Sequence, residues 1–200
     1  MRLSRISICR KCSFCILTII LPVLADNISF EAGVYDFTDI EAKEFYKVAP
    51  SLYVNYEANR KSKLSVCIVS GISHSSVNYN RKKHYLFIIP LFLSICYNFV
   101  DSSKFQPFIG GGFSVQGKFD KNHKIPEPHS SITYGNHMLA GLKYAINKKV
   151  IFFGTLRYNV LIPSFFEDLN TNGIITTIGL KYPIQKREKL STPYRNVLGK

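Results

Sequence analysis

From Ile28 to Ile184 the sequence alternates between bulky apolar residues and small or polar ones, in runs too long for an ordinary globular sheet. A period of two puts neighbouring side chains on opposite faces of an extended chain, so each run reads as a strand with two unlike faces. Eight strands are predicted: Ile28 to Phe37, Val48 to Glu57, Lys63 to Ser73, Tyr85 to Phe99, Phe105 to Gly117, Ile132 to Ile146, Val150 to Leu161, and Gly173 to Ile184. Most reach the length of about ten residues that a tilted strand needs to cross a bilayer, against about five or six in soluble sheets. The connections alternate too. Those after strands one, three, five and seven are long (Thr38 to Lys47, His74 to His84, Lys118 to Ser131, Ile162 to Asn172), and those after strands two, four and six are short. Tight turns on one rim and long loops on the other are the pattern of an antiparallel up-and-down barrel that spans a membrane.

A short repeat fits the same plan. The hexamer G-L-K-Y-x-I occurs at Gly141 to Ile146 and again at Gly179 to Ile184, at the ends of strands six and eight. One turn, one strand, one loop and one strand separate the copies, so the recurring unit is a hairpin; a propeller blade would need four short strands in that span. Tyr56, Tyr97, Tyr144 and Tyr182 stand near the ends of all four even-numbered strands. A tyrosine ring is apolar in its body and polar at its hydroxyl, which favours the level where hydrocarbon meets water, so these four are expected to form an interfacial girdle. The chain has no Trp, which leaves that role to Tyr and Phe.

The composition of the two faces decides which one points outward. One face of strand four reads Tyr85, Phe87, Ile89, Leu91, Leu93, Ile95, Tyr97, Phe99, and one face of strand eight reads Ile174, Thr176, Ile178, Leu180, Tyr182, Ile184. The other face of strand five carries Gln106, Phe108, Gly110, Gly112, Ser114 and Gln116. A water-exposed exterior would be rich in Lys, Glu and Asp, and this face is not. Small uncharged side chains suit the narrow, filled interior of an eight-stranded barrel whose bulky face meets lipid. The few inner charges are Glu31, Glu57, Lys143, Arg157 and Lys181. Burial of an unpaired charge is costly, so partners for all five are expected. Glu31 and Lys181 lie at similar depth on the first and last strands and are expected to approach each other when the barrel closes. A helix through Tyr85 to Val100 is the rival reading of that apolar run; Pro90, Ser94 and Asn98 argue against it.

The ends of the chain differ from its middle. Arg2, Arg5, Arg10 and Lys11 precede an apolar stretch from Phe14 to Leu24, and Val23-Leu24-Ala25 fits small-residue cleavage, so residues 1–25 read as a secretory signal peptide. Residues 26–184 are the barrel, and residues 185–200 read as a basic, disordered tail. Part of the formal charge of +13 belongs to those two ends, and the mild basicity of the barrel does not point to nucleic acid. Three of the five cysteines leave with the leader. Cys67 and Cys96 fall on the inner face of adjacent strands, where a disulfide and a pair of buried thiols are both open.

The leader, the eight strands, Pro107-Phe108-Ile109-Gly110-Gly111-Gly112-Phe113, and the closing hairpin with Leu156-Arg157-Tyr158 and Gly179-Leu180-Lys181-Tyr182 resemble the small outer-membrane beta-barrel proteins of Gram-negative bacteria, the OmpA-like, opacity-protein and surface-antigen group. The resemblance covers Ile28 to Ile184 and implies location in the bacterial outer membrane. It also implies contact with outer-membrane lipids including lipopolysaccharide, insertion by the barrel-assembly machinery, and a structural or surface role in which loops meet host or surface ligands. Family members usually end on an aromatic residue, whereas this chain continues past Ile184. Bulk porin activity is not expected of an eight-stranded lumen.

Enzymatic chemistry has little support. His74-Ser75-Ser76 has a His-x-Ser spacing similar to that of lipid A deacylases, without the surrounding motif, which leaves a lipid-modifying hydrolase as a secondary alternative. A secreted soluble barrel holding a lipophilic ligand is another. The five histidines lack metal-ligand spacing, and no cofactor is expected. Arg81, Lys82, Lys83, Lys121 and Lys124 give the long-loop rim basic clusters that could contact anionic lipid.

Overall fold

The structure, a computed structural model, describes residues 25–61, 63–79, 82–100, 104–121, 129–147, 149–162 and 170–184. The leader and the tail expected at 1–24 and 185–200 lie outside the described residues. Eight antiparallel strands form a closed barrel in sequence order: β1 (Asn27–Phe37), β2 (Val48–Lys61), β3 (Leu64–Tyr79), β4 (Lys82–Asn98), β5 (Phe105–Lys121), β6 (His129–Ala145), β7 (Ile151–Leu161) and β8 (Gly173–Pro183). The seam is complete, with β1 paired to β8 from Asn27 opposite Pro183 to Phe37 opposite Gly173. Closure leaves no free sheet edge, which is the condition for strands to cross a bilayer.

The bulky rows point outward. Phe30, Leu52, Leu93, Ile95, Phe113, Met138, Leu156 and Ile178 are all exposed on the outer wall, and Ser29, Ser94, Ser114, Thr133, Thr155 and Thr177 are buried inside. A wall of this kind is stable only against lipid, and a soluble barrel with its greasy face inward is excluded. The run from Tyr85 through Asn98 is part of β4, with Pro90 facing inward; no helix among the described residues is long and apolar enough to cross a membrane.

Two features depart from the sequence expectation. Within the segment from His74 to His84, residues 74–79 and 82–84 are strand rather than loop: β3 and β4 stay in register from Ser73 opposite Ile88 to Tyr79 opposite Lys82. Similarly β5 and β6 continue to Asp120 opposite His129. On the outer face Ser76 and Asn78 are polar because the wall has left the hydrocarbon at that height, not because pairing has stopped. Strands β3 to β6 thus run to 16 or 17 residues, while β1, β7 and β8 have 11.

The second is a helix, α1 (Ile40–Tyr46), within the long connection after β1. Asp39 caps it, its carboxylate accepting from the amides of Glu41 (3.1 Å) and Ala42 (3.3 Å). It ends at Lys47, the sole described non-glycine residue with positive φ, at 58°. Ala42 and Tyr46 are buried with Tyr35, Phe37, Ala49, Leu86 and Ile88. The helix therefore roofs the long-connection mouth of the barrel.

Candidate functional site

The lumen gathers buried charge, and the repeated hexamer builds part of it. Gly141 lies opposite Phe108 on β5, and Gly179 lies opposite Phe153 on β7. In each case the missing side chain makes room for the ring: a Cβ on Gly141 would stand 2.5 Å from the Phe108 ring, and one on Gly179 would stand 2.8 Å from that of Phe153. The lysine two residues on then lies over the same ring, Lys143 Nζ at 4.9 Å from the Phe108 centroid and Lys181 Nζ at 5.5 Å from that of Phe153. The intervening leucine faces lipid and the tyrosine reaches the rim. Each copy thus sets a ring on a glycine and a lysine on the ring.

Both lysines end on one carboxylate. Lys143 Nζ donates to Glu57 Oε1 at 3.0 Å and to Asn98 Oδ1 at 2.8 Å, and Lys181 Nζ donates to Glu57 Oε2. All three charged side chains are at most 7% exposed. Strands β2, β6 and β8 are joined through the lumen by this bridge.

Glu31 does not meet Lys181. Its carboxylate accepts from Asn55 Nδ2 at 3.3 Å and Thr177 Oγ1 at 2.8 Å, and Thr177 is in turn 2.6 Å from Thr155 Oγ1. The register explains the correction: Lys181 pairs with Ser29, Glu31 pairs with Gly179, and the lysine leans across toward β2 rather than along the seam. Arg157 departs from expectation as well. Its guanidinium is packed on the Phe92 ring at 4.3 Å, and its Nε and Nη1 have no hydrogen-bond partner. A flat, weakly hydrated cation over an aromatic face needs no carboxylate to be held.

Above the bridge the interior is packed tight. Ser94 and His137 Nε2 are 2.7 Å apart, and the Asn159 side chain accepts from Ser114 and donates to Tyr35 and Gln116. A cavity between Glu31, Asn55, Arg157 and the bridge measures about 20 Å³, room for one or two waters and none for a lipophilic ligand. Higher still lies the apolar cluster under α1. Tyr46 donates toward the carbonyls of Tyr85 and Lys121, each at 3.3 Å, and its own carbonyl accepts from Ser75 Oγ at 2.8 Å. Burial, with a smaller contribution from the Asp120 carboxylate, pushes the Tyr46 phenol above its ordinary pKa.

At the short-turn end the four tyrosines face outward. Tyr56 and Tyr182 flank Ile28 at one level, the Tyr144 ring packs tilted against Phe105 at 4.8 Å, and Tyr97 meets Phe99 edge-on at 5.4 Å. At the opposite rim Lys121 ends β5 and is half-buried. Arg81 and Lys124 lie outside the described residues, and so do the side chains of Lys82 and Lys83. Two exposed lysines that sequence reasoning passed over, Lys43 and Lys47, stand on and beside α1, Lys43 within 3.9 Å of Asp36. Only the helix, itself hidden in an apparent loop, marks them.

His74 and Ser76 lie on the outer face of β3, with the His74 ring against Phe87 at 4.2 Å. Their partners on β4 are Phe87 and Tyr85, so neither paired position supplies an acid to orient the imidazole. Among the described residues no group of three or more His, Cys, Asp or Glu side chains is placed to hold a metal ion.

A family model described as "Opacity family porin protein" matches residues 46–184. No curated protein matches the chain. Among solved structures, Neisserial surface protein A superposes with a TM-score of 0.59 at 14% identity, covering 79% of this chain and 96% of that one. The outer membrane protein OprG from Pseudomonas aeruginosa gives 0.62 at 16% identity, covering 81% and 97%. Ail, the attachment invasion locus protein of Yersinia pestis, in complex with the heparin analogue sucrose octasulfate, gives 0.50 at 8%, covering 78% and 94%. At these identities the likeness to the solved structures is one of fold.

Proposed function

The chain belongs to the opacity family of porin proteins and sits in the bacterial outer membrane, and from that premise we propose that it is a sealed anchor, which presents a rigid rim outside the cell instead of conducting solutes. The observation that carries this reading is the filled lumen: a Lys143–Glu57–Lys181 bridge at one end and an apolar cluster roofed by α1 at the other. Reconstituted in planar bilayers, the protein is expected to give no sustained current. A steady conductance overturns the proposal.

The partners proposed for the rim are anionic, namely lipopolysaccharide phosphates and sulfated or phosphorylated surface ligands. Support comes from Lys43 and Lys47 on the roof and from the basic stretch Arg81, Lys82, Lys83 with Lys121 and Lys124. The sucrose octasulfate in the Ail complex is an anion of this class. Folded protein in nanodiscs is expected to be retained on a heparin column, to elute with salt, and to elute earlier as the Lys82→Glu, Lys83→Glu double variant. Elution in the void at low salt removes this part of the reading. Insertion by the barrel-assembly machinery is proposed on family membership alone.

The enzyme alternative keeps one observation, that His74 and Ser76 share an outer face. Without an acid at the paired positions we favour a non-enzymatic role. Release of fatty acid from lipid A by the purified protein, lost in Ser76→Ala, restores the enzyme.

A further inference from the structure

Cys67 on β3 and Cys96 on β4 both point into the lumen, are 5% and 2% exposed, and have their sulfurs 3.5 Å apart. Cys67 lies opposite Ser94 and Cys96 opposite Ser65, so the two are diagonal neighbours across one hairpin. Glu57 flanks Cys67 on the β2 side, and Gly110 flanks Cys96 on the β5 side. A Cβ on Gly110 would stand 2.9 Å from Cys96 Sγ, so the glycine provides the space that this sulfur occupies. Phe108 and Leu139 complete an apolar shell around the pair.

We propose that Cys67 and Cys96 are joined by a disulfide in the mature protein. An S–S bond is about 2.05 Å long, so the sulfurs have to close by about 1.5 Å, and because diagonal partners typically stand about 7–8 Å apart, closure takes a small shift of the β3–β4 backbone as well as side-chain rotation. The cellular route supplies the chemistry. A protein bound for the outer membrane passes through the periplasm, where disulfides form and persist. The oxidant belongs to the class of disulfide-carrying thiol oxidoreductases. One cysteine thiolate attacks the oxidant's disulfide to form a mixed disulfide, and the second thiolate attacks its protein-side sulfur and expels the oxidant as a dithiol. The chain loses two hydrogens and the oxidant gains them.

Burial fixes the timing. In the closed barrel both sulfurs are buried beside a cavity of about 20 Å³, too small to admit an oxidoreductase, so exchange must occur while the chain or the isolated β3–β4 hairpin is still open. The two residues lie on consecutive strands and meet as soon as that hairpin pairs, before β8 is needed. Once the barrel has closed, a periplasmic or external reductant cannot reach the bond.

The test uses protein extracted from outer membranes under denaturing conditions with excess iodoacetamide present, then freed of reagent and treated with a polyethylene glycol maleimide before and after reduction. The expected result is no labelling without reductant, two labels after it, and an intact mass short of the dithiol by two hydrogen atoms. Cys67→Ser and Cys96→Ser should each give one carboxyamidomethylated cysteine and no maleimide label after reduction. Carboxyamidomethylation of both cysteines during denaturing extraction overturns the proposal, and so does a reducible species of higher mass in place of the intramolecular bond. Membrane fractionation and gel mobility before and after boiling, run on the same samples, report barrel insertion separately from thiol state. Folded, membrane-inserted protein with two free thiols therefore rejects the disulfide and leaves the outer-membrane assignment intact.

Discussion

Glu57 concentrates the electrostatics of the molecule. It is a buried anion whose two oxygens each take an ammonium, and its loss strands two cations at once. Glu57→Gln is expected to cost about 3–5 kcal/mol, read as a lower urea midpoint for folding into vesicles. Lys143→Met is expected to cost less, because Lys181 still neutralises the carboxylate. Equal midpoints for the two variants would show that the bridge does not act as a three-charge unit. Sequence reasoning identified Glu57, Lys143 and Lys181 as lumen residues through their parity within each strand. It could not match them, because parity gives a face and a rough depth but not the direction in which a long side chain leans across a barrel interior. Arg157 shows the same gap: its Phe92 seat comes from β4, a strand it does not neighbour.

Among the elements, the β-strands were legible and α1 was not. Long strands carry a repeated period-two signal that sums over many residues, and the tertiary structure had only to extend it. In β3 and β5 it extended into segments whose serines, lysines and asparagines resemble loop composition. A helix of 7 residues has too few turns to show an apolar stripe, and its signs are limited to the Asp39 cap and Glu41 in the first turn. Asp39→Ala is expected to cost about 1 kcal/mol of local helix stability. That loss should appear as faster hydrogen exchange at the Glu41 and Ala42 amides, with the global midpoint unchanged. The two hexamers make a sharper prediction. Their glycines are sites of close approach, so Gly141→Ala and Gly179→Ala should each lower stability by about 1–3 kcal/mol through displacement of the Phe108 and Phe153 rings and crowding of the Gly154 and Phe30 carbonyls. Unaltered urea midpoints in both would show that the rings have other room.

At the scale of the whole molecule, the orientation of the wall decides everything else. Outward apolar rows and a closed seam give a membrane barrel, and depth along the wall then sets the cost of a charge. Ile178→Arg near mid-height is expected to cost about 2–4 kcal/mol, and Tyr182→Arg at the rim about 0–1 kcal/mol, measured by refolding into vesicles. Equal costs at the two depths would mean that no hydrocarbon slab surrounds this wall. That orientation was readable beforehand because the inner face lacks the charges a wetted surface carries. The height of the β3 to β6 wall was not, since lipid imposes no pattern on strand that rises above it.

The Lys143–Glu57–Lys181 bridge also bears on the order of assembly. Lys143 arrives on β6, but Lys181 is delivered by β8, the strand that seals the tube. In an unzipped sheet β2 stands four strands from β6 and six from β8, so Glu57 meets neither lysine, and the bridge forms only as the sheet curls shut. Completion of the ring becomes the favoured stopping point, and an open ribbon in the periplasm has a standing electrostatic reason to finish.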